Sequence, residues 1–191
     1  MRWMIAAGAA LLLAACGQQG SGVALPPVQE GAQAPSTQTQ PAGPVQQVQI
    51  TPEQREQFIG RVRQYLDMAQ QHPQVGAGLA PAAGFTDENA EMQPGTDHRW
   101  QVELAGGTAY RVIGACDDDC TNMDLELIDV STGGVVASDM LDDDFPVVSF
   151  TPQANGRYIV RLLMQTCGVA PCFAGARVLS GAATTQSGGG K

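Results

Sequence analysis

The sequence has little of what catalysis and nucleic-acid binding require. It holds only two histidines, His72 and His98, and no HExxH helix, G-x-S-x-G elbow, P-loop or dinucleotide fingerprint. Lys+Arg number 10 against 19 Asp+Glu, a net charge of −9, so the attraction to phosphate that drives nucleic-acid binding is missing. Aromatics are 5% of the chain, which leaves few large anchors for a core. No apolar run reaches the roughly 20 residues of a membrane-spanning helix, which excludes a polytopic membrane protein. Glycine (23) and proline (12) are plentiful instead, so part of the chain should lie outside any packed core.

What is present begins with Met1-Arg2-Trp3-Met4-Ile5, a short basic start leading into a run of roughly ten apolar residues. Leu13-Ala14-Ala15-Cys16 closes that run and resembles the bacterial lipobox, which makes residues 1–15 a lipoprotein signal peptide. The resemblance implies that Cys16 is the lipidation site, carrying diacylglyceryl and an amide-linked acyl chain such as palmitate. Several chains at about 0.8 kcal/mol per buried CH₂ anchor a protein permanently. In that class a residue other than Asp after the cysteine, here Gly17, goes with sorting to the outer membrane. The expected location is therefore the cell envelope, at the outer membrane facing the periplasm or the surface.

Residues 17–50 contain nine Gln, five Pro and five Gly, with Glu30 the one charged residue. Their apolar surface is too small to offset about 1–2 kcal/mol per residue of ordering entropy. Residues 16–50 therefore read as a lipidated cysteine followed by a disordered tether, with a coil span of about 30 Å. Thr51-Pro52-Glu53-Gln54 then combines an N-cap hydroxyl, a first-turn proline and a capping-box glutamine. Phe58, Val62, Tyr65 and Ala69 recur at helical spacing up to Pro73, so 51–73 is an amphipathic helix. Its stripe needs a cover. The following domain is the simplest one; a membrane surface or a second copy are the alternatives.

Residues 74–98, punctuated by Gly76, Gly78, Pro81, Gly84 and Pro94, read as an irregular connection. From Trp100 the apolar period becomes two, with strands expected at 100–104, 110–115, 123–130, 135–138, 146–151, 157–165 and 172–179. Short strands parted by glycine, Asn and Asp turns, with no helix between them, indicate an antiparallel β-sandwich over 99–180. The fold class is mainly β, and 181–191 is a disordered tail.

Four cysteines fall inside the β domain. The spacings Cys116-x₃-Cys120 and Cys167-x₄-Cys172 favour two local disulfides in an exported chain. Cross-pairing and a Cys₄ zinc site are the alternatives. Between Cys116 and Asp144 lie ten acids and no Lys or Arg. Crowded carboxylates suit a Ca²⁺ ion, with Asp117, Asp119 and Asp124 as candidate ligands, although the EF-hand positions are not matched. The alternative is a solvated acidic rim.

The runs Gly107–Cys120, Met123–Asp129, Pro146–Thr151 and Gly156–Leu162 resemble the bacterial pre-peptidase C-terminal (PPC) domain, with its Asp-Leu-x-Leu strand and closing Gly-x-Tyr-x-Val strand. The likeness covers about 80 residues, and the paired cysteines are similar to those of a group of exported bacterial proteins. It implies a jelly-roll-like β-sandwich, a role accessory to a secreted enzyme, and Ca²⁺ binding in some members. No protease precedes the domain here. Asp97-His98 with Ser149 is the one set of residues that supplies the three members of a triad, and nothing in its spacing favours one. The expectation is therefore a non-catalytic, membrane-anchored binding protein with an envelope partner and no nucleic acid. The alternatives are a structural envelope component acting through its helix and an accessory subunit of a secreted hydrolase.

Overall fold

The computed structural model describes residues 21–37 and 44–181; the signal peptide expected over 1–15, the expected lipidation site Cys16 and the expected tail beyond Gly181 lie outside the described residues. In chain order the elements are β1 (Ser21–Gly22), β2 (Gln46–Gln47), α1 (Pro52–Gln71), β3 (Leu79–Pro81), β4 (Glu88–Met92), β5 (Thr96–Leu104) and β6 (Tyr110–Cys116). They continue with β7 (Cys120–Asp129), β8 (Val135–Asp139), β9 (Val147–Phe150), β10 (Gly156–Cys167), β11 (Val169–Ala170) and β12 (Cys172–Gly181). The protein is mainly β, as its alternating pattern indicates. One sheet runs β1-β5-β10-β7-β8 and the other β3-β12-β6-β9, with β4 beside β3 on the same edge of β12.

Alternation along the strands builds the core between the sheets. Val102 and Leu104, Leu125 and Leu127, and Val160 and Leu162 point inward from one sheet to meet Val112, Val148, Ala174 and Val178 of the other. The side chains between them form a second layer. Ile113, Ala115, Phe173 and Leu179 face outward from β6 and β12 and meet Val62 and Leu66 of α1, both fully buried. The helix starts as its sequence dictates, with Thr51 and Gln54 exchanging capping hydrogen bonds. Phe58 stacks on Phe173 with ring centroids 5.1 Å apart. Gly175 lets the helix approach: a Cβ there would sit 2.8 Å from Val62 Cγ1. Arg177, on the same outward face of β12, reaches Asp67 at 2.7 Å and Gln70 at 2.8 Å and ties down the second half of the helix. The cover for the amphipathic stripe is therefore the domain itself.

Two segments are more ordered than their composition suggests. Residues 74–98 hold β3, β4 and the start of β5, and β3 and β4 pair antiparallel with β12. The pattern of β4 is faint because only Met92 of that strand is deeply buried, so its stability comes from ladder bonds along an open edge of β12. The tether expected over 17–50 is also shorter than that range. Residues 21–37 form a strap across the outer face of the β5-β10-β7 sheet. It begins as β1, parallel to β5, continues with Gln29 N–H bonded to the Thr132 carbonyl, and accepts from Val135 N–H at Gln33. Gly133, at φ +69°, makes room for it, since a Cβ there would stand 2.3 Å from the Pro27 carbonyl oxygen. Farther on, β2 pairs with β11 and leads into the helix. Composition reports what a segment can bury by itself, whereas this strap rests on a sheet face supplied by distant strands.

A charge cluster lies beneath the strap. Arg161 of β10 donates to Asp97 of β5 and, at 2.8 Å, to Glu126 of β7. Asp97 also takes a two-pronged contact from Arg99 at 2.7 and 2.8 Å. Ser36 of the strap closes the cluster, giving its N–H to Glu126 at 2.8 Å and its carbonyl to Arg161 at 2.9 Å. Asp97, Glu126 and Arg161 are 1%, 2% and 3% exposed. Removing one partner from such a group strands the others as buried charges. Arg161→Ala should therefore cost about 3–5 kcal/mol of stability by urea unfolding and expose the Ser36 amide to faster hydrogen exchange. Unchanged exchange at Ser36 would show that the strap is held by other contacts.

Candidate functional site

The end of the sandwich where β6 passes into β7 and β10 into β12 gathers most of the residues singled out from the sequence. Cys116 ends β6 and Cys120 opens β7; Cys167 ends β10 and Cys172 opens β12. They form two local disulfides, Cys116–Cys120 and Cys167–Cys172, with Cα–Cα distances of 5.9 and 6.0 Å. Cross-pairing and a tetrathiolate zinc site are thereby set aside. Cys167 lies opposite Cys120 in the β10–β7 ladder, and Gly168 donates to the Asp119 carbonyl at 2.7 Å, so the two bridged loops brace each other. Paired cysteines of this kind point to an oxidising, extracytoplasmic environment. Among the described residues no helix is long and apolar enough to cross a membrane.

The three candidate calcium ligands do not converge. Among the described residues no group of three His, Cys, Asp or Glu side chains is placed to hold a metal ion. Asp117 is turned inward onto β12, where its Oδ2 accepts the Phe173 N–H at 2.8 Å. Asp124 lies on the outer sheet face with Gln165 donating to it, and Asp119 sits half-buried in the first disulfide loop. The acids divide their work between the fold and its surface. Asp139 accepts from Val147 N–H at 2.8 Å, Asp143 from Phe145 N–H at 3.0 Å and Asp142 from the Asn122 amide at 2.7 Å. Together these bonds shape the loop between β8 and β9. Asp118, 61% exposed, pairs with Arg61 of α1 at 2.8 Å and accepts from the Tyr65 hydroxyl.

That loop carries what the sequence reading overlooked. Met140, Leu141 and Phe145 are 44%, 65% and 38% exposed, and Tyr65 of α1 stands edge-on to Phe145 at 6.0 Å between centroids. Met68, one helical turn beyond Tyr65, is also exposed. The sequence signal was an apolar Met-Leu pair enclosed by Asp139 and Asp142, beyond the end of any strand able to bury it. The residues weighed for a triad stand in unrelated settings. Asp97 belongs to the buried cluster, His98 bonds Glu88 at 2.9 Å, and Ser149 accepts from Arg111 on the other sheet. An open cleft of about 440 Å³ at the far end is lined by Glu103, Leu104, Ala105, Asn155, Gly156 and Arg157. No protein-family model matches the chain, and no curated protein matches it.

Burial acts on the acids of this end. Asp117 is 2% exposed and its Oδ1 has no hydrogen-bond partner. Desolvation, aided by the charges of Asp119 and Asp118 and opposed by N–H bonds from Phe173 and Asp119, pushes its carboxyl up to about 6. Asp124 is also raised, chiefly by burial. The native state therefore keeps a proton on Asp117 that the unfolded chain releases near pH 4. Its contribution to stability is full below that point and is lost as the pH rises through 6. Asp117→Asn should stabilise the protein at pH 7.5 by on the order of 2 kcal/mol relative to wild type, with the difference shrinking toward pH 4. The check is a series of thermal melts between pH 4 and 8, and a constant difference across the series would contradict the assignment.

Proposed function

We propose that the protein is an exported lipoprotein, acylated at Cys16, whose PPC-like sandwich binds a partner in the cell envelope without catalysing a reaction. The observation that carries this reading is the disulfide end itself. Its loops are braced by two covalent bridges, and it exposes apolar side chains framed by carboxylates while the helix and strap are committed to covering the sheets. The buried stripe of the helix is taken up by the domain, with Val62 and Leu66 packed on β6 and β12, which leaves its Tyr65–Met68 flank as the part open to a partner.

The strap bears on how such an anchor would hold the domain. Only Gly17–Gly20 separate Cys16 from β1, so the chain reaches at most about 18 Å from the acylated cysteine to the sheet. In its parallel pairing Ser21 lies opposite His98 and Gly22 opposite Arg99, so the chain entering β1 comes from the Thr96 side of β5. In the adjoining ladders Thr96 faces Met164 and Met164 faces Met123, close to both disulfides. An acyl anchor at Cys16 would on this reading hold the disulfide end closer to the bilayer than the roughly 30 Å coil span of a free 34-residue tether. Gly17 in place of Asp favours the outer membrane as the site.

Labelled palmitate should enter the wild-type protein in a bacterial host, and Cys16→Ser should abolish the label and move the protein from the membrane to the soluble fraction. Recovery of wild type as an unlabelled soluble protein still beginning at Met1 would overturn the lipoprotein reading.

A further inference from the structure

Seven large apolar side chains stand exposed among the described residues. Val23 and Val28 belong to the strap, Val136 to β8, and Met68, Met140, Leu141 and Phe145 to α1 and the loop between β8 and β9. Tyr65, one helical turn before Met68, stands edge-on to Phe145 and so brings the helix to the loop that carries Met140 and Leu141. A contiguous exposed apolar group on a small domain marks a contact surface more often than chance placement does. Two of its members are methionines, whose flexible thioethers adapt to a partner's shape.

Its frame is negative. Asp118, Asp119, Asp142, Asp143 and Asp144 lie in the two loops of this end, and the described residues contain no lysine. Of the nearby arginines, Arg61 pairs with Asp118 and Arg55 with Glu91. Among the described residues no ion pair neutralises Asp119, Asp142, Asp143 or Asp144. Such a frame rejects anionic lipid headgroups, and it also rejects a second copy, which would meet acid with acid. It accepts the opposite charge.

We propose that Met68, Met140, Leu141 and Phe145 form a docking patch for a basic, amphipathic protein segment, its apolar side chains seated on Leu141 and its Lys or Arg side chains on the surrounding aspartates. This rests on the reading that the disulfide end is the binding face, and it adds the chemistry of the partner. Complementary charge steers the encounter, and the apolar contact holds it.

The test uses the full chain carrying Cys16→Ser and two synthetic helical peptides, one of Leu and Lys and one of Leu and Glu. The Leu/Lys peptide should bind at 50 mM salt and weaken roughly tenfold at 300 mM, and the Leu/Glu peptide should not bind. Leu141→Ala with Met140→Ala, and separately Asp144→Asn with Asp119→Asn, should each weaken binding about tenfold. Glu103→Gln, at the far end, should leave it unchanged. Equal binding by all variants, or none by wild type, overturns the proposal. So does dimerisation in sedimentation, or flotation with phosphatidylcholine–phosphatidylglycerol vesicles, that Leu141→Ala abolishes. Photo-crosslinkers placed at Asp118 and at Asn155 of the acylated protein in cells decide the underlying reading separately. Adducts from Asp118 without peptide binding would leave the disulfide end as the binding face and discard the basic partner. Adducts from Asn155 alone would discard both.

Discussion

Arg161 holds two carboxylates on a sheet face that would otherwise repel both each other and any covering chain. It sits in the middle strand of its sheet, with Arg99 and Glu126 opposite it on the two flanking strands. Asp97 and Glu126 can be buried only because this guanidinium lies between them, and Ser36 can lie over them only because both Arg161 and Glu126 offer it hydrogen bonds. A planar fork with several donors suits such a junction better than a lysine would. Through it a glycine- and proline-rich stretch becomes part of the domain.

Much of the sandwich was legible because its signals are local. The alternation of Met123, Leu125 and Leu127, the capping box at Thr51 and the close cysteine spacings each specify their outcome within a few residues, and each is found in place. What escaped depends on partners far along the chain. β4 reads as irregular because its order comes from β12, and residues 21–37 read as coil because their cover is a sheet face built after them. The acidic run illustrates the same limit. Ten carboxylates in 29 residues suggest a cation, yet sequence proximity does not determine which way each points. Asp117 turns in, Asp124 faces the strap side, and Asp139 and Asp143 are taken up by backbone N–H groups.

The same accounting explains how a small, acidic domain forms a defined end. Disulfide loops of four and five residues in sequence separation remove little chain entropy, so their main effect is on shape. In the neighbouring loop between β8 and β9, Asp139 accepts the Leu141 N–H at 3.3 Å and Asp143 the Phe145 N–H, and in that turn Leu141 stands exposed.

The order of the elements along the chain has a consequence for biogenesis. The strap and α1 come first, yet Ser36 binds Arg161 from 125 residues away, and the helix rests on β12, the last strand described. Part of each surface, β5 under β1 and β6 under α1, comes from the middle of the chain, and neither surface is whole until β10 and β12 have emerged. The strap and the helix therefore complete their packing last, although they are made first, and contacts so far apart in sequence form slowly.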